Sequence, residues 1–348
     1  MNSPTPVHLL AGHRRRYSLL GLVLALGLVV VLALAVGSVP ISFLTVWQVL
    51  VSKLPLVNLA PSWTGATETI VLDIRLPRIF LAGLVGAALA TAGATYQGLF
   101  RNPLADPYLI GVAQGAALGA VIGFLLPSAQ PGTIPLLAFG GALLSTIVVY
   151  QLARVGKALP VTTLILAGVA LGALLGSVVS YLIIFSGDKM HGILFWLMGS
   201  FAMSQWSEVR VVLPYVLVGL VVILLYARSL NIMQLDEEQA QQLGVNVEQL
   251  KRVLLAAATL ITAASVSFVG TIGFVGIIIP HAGRLVWGAD NRALIPLAAL
   301  SGAVFLILAD LVARAVLAPT EVPIGVVTAL VGAPFFLYLL RRRRRVLF

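Results

Sequence analysis

Residues 17–36 read YSLLGLVLALGLVVVLALAV, a run of 20 residues without a charged side chain. A helix needs about 20 apolar residues to cross the hydrocarbon core of a bilayer. The run therefore predicts a membrane span. A cleaved secretory signal is the alternative, because arginines occupy positions 14–16 and the small residues Ala35 and Gly37 follow. The run is longer than the usual core of such a signal, and many further apolar runs follow it, which favours a span.

The same character extends over all 348 residues, of which 60% are hydrophobic and 10% charged. The mean hydropathy is +1.05. A soluble domain carries about 25% charged residues to cover its surface. This chain must therefore face lipid over most of its area, and we expect one membrane domain spanning residues 1–348. The chain has no cysteine, which excludes disulfides, thiolate catalysis and cysteine-ligated metals.

Ten apolar runs predict about ten transmembrane helices in an all-α integral membrane protein. A partly re-entrant segment is an alternative for the short run 273–288, and a further stretch, 191–203, is too short to cross. Five spans in each half would give the halves opposite orientations, which predicts an inverted repeat. The runs are 17–36, 78–98, 108–126, 134–153, 162–185, 209–227, 251–269, 273–288, 293–313 and 324–340.

Basic residues set the expected orientation, because inner loops of membrane proteins are enriched in lysine and arginine. With the N-terminus inside, sixteen of the 22 basic residues fall on the inner side and six on the outer side. This bias explains the net charge of +10 better than nucleic-acid binding does. We expect a multi-pass protein of the cell inner (plasma) membrane with both termini in the cytoplasm. The six outer basic residues are Lys53, Arg75, Arg78, Lys189, Arg210 and Arg314.

The chain carries no phosphate-binding P-loop, since none of its four lysines lies in a Gly-x-x-x-x-Gly-Lys-Ser/Thr context. ATP hydrolysis is therefore expected on a separate chain. Ion-coupled transport needs ionisable groups near the membrane midplane. The spans are almost free of such groups, which argues against the alternative of an ion-coupled secondary transporter.

Asp310 is the main ionisable residue within a span. Arg314 lies one turn later, which predicts an i,i+4 ion pair, with a proton relay through Asp310 as the alternative. The four histidines, at positions 8, 13, 191 and 281, lack the spacing of metal ligands. We therefore expect no metal, no cofactor and no membrane-embedded enzyme.

Residues 236–248 read DEEQAQQLGVNVE, a polar segment between two spans on the inner side. Acidic residues at its start complement a helix dipole, and Gly244 suits the end of a helix. The segment predicts a short helix that is presented to a partner, with an ordinary solvated connector as the alternative. Glycines at 111, 115, 119 and 123, and at 168, 172 and 176, predict two helix faces that pack closely.

Several stretches, in this order and spacing, resemble the FecCD-type permeases of ATP-binding-cassette (ABC) importers over about residues 70–340. They are RLPR at 75–78, GLFRNPLADPYLIGV at 98–112, LAGVALG at 166–172, FWLMGS at 195–200, QLGV at 242–245, GTIGFVGIIIPHAGRL at 270–285, LADLVAR at 308–314 and EVPIGVVTALVGAPFF at 321–336.

The resemblance implies a type II importer permease that translocates an iron-siderophore, haem or cobalamin-type chelate. Its expected partners are a second permease, identical or paralogous, two cytoplasmic ABC ATPase subunits and a periplasmic or lipid-anchored binding protein, all at a lipid membrane. The sequence does not choose among the substrates.

The resemblance also assigns roles to residues. Arginines of the outer side are expected to dock the binding protein; they are Arg75, Arg78 and Arg314. Residues of the polar inner segment are expected to couple to the ATPase; they are Asp236, Glu237, Glu238, Ala240 and Gly244. Residues of spans 5 and 10 are expected to line the path at a dimer interface; they are Thr162, Thr163, Ser177, Ser180, Tyr181 and Thr328.

Overall fold

A computed structural model describes residues 6–37, 39–54, 62–127, 130 and 132–347. Within these ranges the regular structure is helical, apart from one isolated bridge between Val155 and Ala158. The helices are α1 (Pro6–Ala35), α2 (Phe43–Ser52), α3 (Gly65–Thr69), α4 (Leu76–Leu99), α5 (Val112–Leu125), α6 (Thr133–Ala153), α7 (Val161–Ile184), α8 (Met190–Leu197), α9 (Trp206–Leu225), α10 (Ala227–Met233), α11 (Glu237–Gln242), α12 (Val247–Val269), α13 (Val275–Trp287), α14 (Asn291–Ala315) and α15 (Ile324–Leu347).

Seven of the described helical segments are long and apolar enough to cross a membrane, and they include α1, α4, α6, α7, α9, α12 and α14. Three of the predicted spans correspond to shorter apolar helices: α5, α13 and the apolar part of α15, Ile324–Leu339. The all-helical fold is therefore confirmed. The sequence did not reveal the short apolar helix α2, and the inverted repeat remains a prediction.

The centre of the bundle is the continuous helical segment Gly65–Leu99, which joins α3, a π-helical turn at Ile70–Arg75 and α4. In its most apolar stretch 78% of the residues are buried, compared with 72% in the corresponding stretch of α12 and 56% in that of α14. It packs against α9, α12, α13 and α14. Helix α7 is the opposite case, because only 11% of the residues in its most apolar stretch are buried.

Helix α4 approaches two neighbours closely enough for backbone to touch backbone. A Cβ atom added at Gly86 would overlap the carbonyl group of Gly302 on α14, and a Cβ at Gly302 would overlap that of Gly86. A Cβ at Gly93 would overlap the carbonyl oxygen of Gly276 on α13. Small residues permit such contact, and in lipid they replace the hydrophobic driving force of a soluble core.

The predicted glycine faces also pack closely. A Cβ at Gly115 would overlap the carbonyl oxygen of Gly141 on α6, and one at Gly119 would overlap that of Leu137. On α7, a Cβ at Gly168 would overlap the carbonyl oxygen of Leu109. The predicted close packing is thus confirmed for the glycine face of α5, whose partner is α6, and for one glycine of α7.

Asp290 joins three helices at one end of the bundle. Its carboxylate accepts hydrogen bonds from Arg15 of α1 at 3.0 Å and from Asn231 of α10 at 2.7 Å. Partial burial raises the pKa of Asp290, but hydrogen bonds from Arg292 and Asn231 outweigh it and lower the pKa to about 2. Asp290 is therefore charged at any physiological pH. We call this end of the bundle the basic side and the other end the opposite side.

The Gly93–Gly276 contact gives a stability prediction. Gly93→Val should lower the free energy of unfolding by at least about 1–3 kcal/mol, because overpacking forces the backbone of α4 and α13 apart. The matched control is Gly140→Val on α6, where an added Cβ would meet nothing within 4 Å. Thermal unfolding in detergent measures both variants, and equal melting temperatures would contradict the close approach.

Candidate functional site

The polar segment on the basic side folds as the predicted short helix, α11. The carboxylate of Asp236 caps its start by accepting the backbone N–H of Glu237 at 2.6 Å. Asp236 also lies 3.4 Å from Nη1 of Arg101. At the other end, Gly244 has a φ of +84°, a left-handed conformation that favours glycine at a helix end. Its N–H donates to the carbonyl of Gln241.

A buried lysine fixes α11 to the bundle. Nζ of Lys251, on α12, lies 2.8 Å from Oε2 of Glu237 and 3.4 Å from Oε1 of Glu248. It also donates to the carbonyl oxygen of Leu159, just before α7, at 2.9 Å. Lys251 is 2% exposed. One ammonium group therefore ties the acidic helix, α12 and the chain entering α7 together.

The outer face of α11 is polar with two exposed leucines. Glu238 is exposed, whereas Ala240 is buried against the bundle. Leu235 and Leu243 flank the helix and are 59% and 62% exposed. The three acidic residues thus have separate roles. Asp236 caps the start of α11, Glu237 pairs with Lys251, and Glu238 faces outward. The sequence reasoning missed Lys251 and the two leucines, although the leucines stand out in a polar segment.

On the opposite side, Arg78 forms a buried cluster with two carboxylates. Its Nε and Nη2 lie 3.0 and 2.8 Å from Oδ1 of Asp310 on α14. Its Nη1 and Nη2 lie 2.7 and 3.0 Å from the two carboxylate oxygens of Glu321, just before α15. The side chains of Arg78 and Asp310 are 9% and 2% exposed. One guanidinium thereby joins α4, α14 and the entry to α15.

The predicted i,i+4 pair on α14 is confirmed, since Nε of Arg314 lies 3.5 Å from Oδ2 of Asp310. Arg314 also donates to the carbonyl oxygen of Ala33 at the end of α1.

Arg75 binds backbone carbonyl oxygens at the end of α1 and in the segment that follows it. Its guanidinium donates to Leu34, Ala35 and Val39. A Cβ atom at Gly37 would lie 2.7 Å from Nη2 of Arg75. Leu34, Ala35, Gly37 and Val39 therefore surround this guanidinium closely.

The three arginines differ from the expected outward-facing docking groups in this conformation. Arg75, Arg78 and Arg314 are 5%, 7% and 7% exposed. Desolvated guanidinium groups need partners, and here the chain supplies them as Asp310, Glu321 and backbone carbonyls. The i,i+4 spacing predicts Asp310 as a partner of Arg314, but it cannot reveal the contact with Arg78, because α4 and α14 are far apart along the chain.

The path residues predicted on α7 lie largely on its exposed surface. Thr162, Ser177, Ser180 and Tyr181 are exposed. Thr163 is half-buried, and its hydroxyl donates to the carbonyl oxygens of residues 153 and 160 at 2.9 Å.

Thr328 differs from the expectation. Its side chain is buried within the chain, and its hydroxyl donates to the carbonyl oxygen of Gly325 on the same helix. It therefore presents no polar group to a path in this conformation. The neighbours Val326 and Leu330 are the exposed residues of that part of α15.

Gln114 is a polar residue that the sequence reasoning missed. It is exposed on α5, and its side chain lies beside the glycine face of α7: Oε1 is 3.5 Å from the position of a Cβ at Gly176, and Cγ is 3.7 Å from one at Gly172. An amide at this depth, beside the middle of α7, is costly against lipid and favours a water-filled surface. The sequence did contain a signal for this residue, since Gln114 stands among glycines and alanines.

Metal-ligand clusters are absent from the described part of the chain: no three histidine or carboxylate side chains gather there as ligands. The structure is a helical membrane bundle. The polar helix α11 is anchored on its basic side, and the exposed helix α7 carries hydroxyl groups and lies beside the amide of Gln114. This is the arrangement of a membrane permease, a protein that conducts a solute between helices.

Comparison with known proteins defines the family. The model of the FecCD transport family matches residues 24–342. The chain therefore belongs to the FecCD transport family, whose members are permeases of ABC importers.

Individual relatives agree with this assignment. The chain is 52% identical to the cobalamin import system permease BtuC of Halobacterium salinarum, over 82% of this chain and 77% of the relative. It is 41% identical to the hemin transport permease HmuU of Yersinia pestis, over 91% and 94%. A solved inward-facing metal-chelate type ABC transporter superposes with a TM-score of 0.82 at 33% identity, over 93% of this chain and 98% of that chain.

Removal of the Lys251 ammonium should loosen α11. We expect Lys251→Met to lower stability by about 1–3 kcal/mol, because Glu237 and the carbonyl of Leu159 lose their donor. The uptake of substrate per ATP hydrolysed, in vesicles holding the whole transporter, should fall several-fold. Lys157→Met, at an exposed lysine on the same side, is the control. An unchanged ratio of uptake to hydrolysis in Lys251→Met would show that α11 needs no such anchor.

Removal of the Arg78 guanidinium should destabilise the opposite side. Arg78→Leu leaves Asp310 and Glu321 without their main partner, and breaking a buried ion pair costs about 3–5 kcal/mol. Combining it with Asp310→Asn should cost less than the sum of the two changes, because the residues share one cluster. Arg210→Leu, at an exposed arginine of the same side, is the control. If Arg78→Leu melts like the wild type, the guanidinium is not structural and is free to serve docking.

Proposed function

We propose that this chain is the membrane-spanning subunit of an ABC importer that carries a cobalamin-type chelate into the cytoplasm. The observation that carries the proposal is the 52% identity with a cobalamin import permease over 82% of this chain. Haem and ferric citrate are the other substrate classes to test, since relatives named for hemin and Fe(3+) dicitrate transport are 41% and 37% identical. The chain would hydrolyse no ATP itself, because none of its lysines lies in a P-loop.

In this proposal the basic side faces the cytoplasm of the cell, in the inner or plasma membrane. The distribution of lysine and arginine supports that orientation. Helix α11 would then meet an ABC ATPase, with Glu238, Leu235 and Leu243 as its exposed contact residues. The anchor at Lys251 supports this role, because it links α11 directly to α12 and to the chain entering α7. Movement of the ATPase could thus reach the path through few contacts.

A second copy of the chain, or a paralogue, would cover the exposed face of α7. Within one chain only 11% of the residues in the most apolar stretch of α7 are buried. The exposed face nevertheless carries hydroxyl groups and lies beside Gln114. Residues of this kind suit a path between two subunits better than a lipid boundary. The neighbouring exposed residues of α15, Val326 and Leu330, would extend the same interface.

A binding protein would dock on the opposite side. The arginines at 75, 78 and 314 are candidates for its carboxylates, since guanidinium forks suit bidentate pairing. In the described conformation their nitrogens are occupied by Asp310, Glu321 and the carbonyls of Ala33, Leu34, Ala35 and Val39. Docking through these groups would require the end of α1 and Val39 to move aside and the internal pairs to be exchanged. The exposed Arg210 needs no such change.

Reconstitution tests the proposal. The permease, its ATPase and its binding protein are placed in vesicles, and uptake of labelled cobalamin, haem and ferric citrate is measured with and without ATP. We expect ATP-dependent uptake of cobalamin and little uptake of the other two. ATP-dependent uptake of haem or ferric citrate instead would retain the importer and replace the substrate. Uptake that continues without any ATPase subunit would support an ion-coupled secondary transporter and overturn the proposal.

A further inference from the structure

A large apolar groove lies away from the exposed face of α7. It has a volume of about 840 Å³ and is bounded by α6, α9 and α12, with Ile110 and Leu164 at its floor. Side chains of this groove include Ile147, Val218 and Leu260. Volumes of about 300–1,000 Å³ are typical of sites that hold a small molecule. We call it the α6–α9–α12 groove.

The groove spans one leaflet of the membrane on the basic side. Its lining on α12 runs from Arg252 to Leu260, nine residues whose eight steps rise about 12 Å. One leaflet of hydrocarbon is about 15 Å thick, half of a 30 Å core. Its lining on α6 ends at Tyr150, three residues before the helix ends. Tyrosine is enriched at this interfacial depth.

The two threonine hydroxyls of the lining are satisfied within the chain, so the wall around them is apolar. The hydroxyl of Thr146 donates to the carbonyl of Ala142 at 3.0 Å, and the hydroxyl of Thr259 pairs with that of Tyr96 at 3.1 Å. Water in such a groove would have few partners. A hydrocarbon chain, which needs none, is the occupant that this wall favours.

A single cation lies at the end of the groove nearest the start of α12. Arg252 is exposed there, and its Nε donates to the backbone carbonyl of Glu248 at 3.3 Å. Within the described residues its two terminal nitrogens form no hydrogen bond or ion pair. The carboxylate of Glu248 points to Lys251 instead, and no acidic residue lines the groove. A guanidinium at headgroup depth above an apolar cleft is complementary to an anionic phospholipid.

We propose that the α6–α9–α12 groove holds one phospholipid with an anionic headgroup at Arg252 and an acyl chain along α12. A second copy of the chain is a poorer fit, because the exposed path residues lie on α7 rather than on this face. The occupant would contact Leu164 in the first turn of α7 and the helix α12 that carries Lys251. The inference does not depend on the substrate or on transport, since lipid retention is measured directly.

Lipid retention by the purified full-length permease tests the proposal. The protein is placed in nanodiscs of equal phosphatidylcholine and phosphatidylglycerol, transferred to mild detergent and analysed by native mass spectrometry. The wild type should retain phosphatidylglycerol in preference to phosphatidylcholine. Arg252→Gln should lower that preference about fivefold, the effect of one basic residue near the membrane surface. Ala256→Trp, which fills the groove at an exposed lining position, should reduce retention of both lipids.

Two controls separate this site from general effects. Arg228→Gln removes an exposed arginine of the same side, and Val221→Trp adds the same bulk on α9 outside the groove lining. Both should retain lipid like the wild type, and melting temperatures confirm that all variants are folded. Equal losses in Arg252→Gln and Arg228→Gln would overturn headgroup recognition at Arg252. Unchanged retention in a folded Ala256→Trp would overturn the groove as the lipid site.

Discussion

The backbone contact between α4 and its neighbours is the constraint on which the rest of the structure depends. Gly86 meets Gly302, and Gly93 meets Gly276, at distances that exclude any side chain. In lipid, helices gain little from burying apolar side chains against one another, so close van der Waals contact must hold them. These contacts fix the separation of α4 from α14 and α13, and with it the positions of the polar groups further along each helix.

Polar clusters follow from that spacing at both ends of α4. Toward the opposite side, Arg78 can reach Asp310 and Glu321 because α14 lies so near. Toward the basic side, Gln97 donates to the carbonyl of Ile277 at 3.1 Å, and Arg284 donates to the carbonyl of Ala94 at 3.1 Å. The side chains of Arg78, Gln97 and Arg284 are thus paired across helices, as an apolar surrounding favours. The clusters therefore specify the register of helices that glycine contacts bring together.

The sequence predicted the features that depend on short stretches. Runs of about 20 apolar residues located the spans, and an acidic start with a glycine end located α11. The sequence could not predict where a side chain points when its partner is distant along the chain. Arg78 lies 232 residues from Asp310, and Lys251 lies 92 residues from Leu159. Charge counting grouped the arginines at the end of the bundle away from the basic side, but it could not tell an exposed guanidinium from one that satisfies buried carboxylates. The burial of Thr328 was also unpredictable from the sequence, since helix spacing does not reveal which face is covered.

The uneven burial of the helices fits the needs of a permease. A path must open and close, whereas the surfaces that meet partners must keep their shape. The helices α4, α12 and α14 carry the buried charged side chains Arg78, Lys251 and Asp310. More than half of the residues in the most apolar stretch of each of these helices are buried. Helix α7 has three buried residues, Leu164, Gly168 and Val179, and the side that carries Ser177 and Ser180 is exposed. Elements with few buried contacts are the ones that move at low cost. Lys251 stands at the junction of the two regions, because it belongs to the rigid α12 and binds both α11 and the chain entering α7. A displacement of α11 would therefore act first on the helix that is least held by the rest.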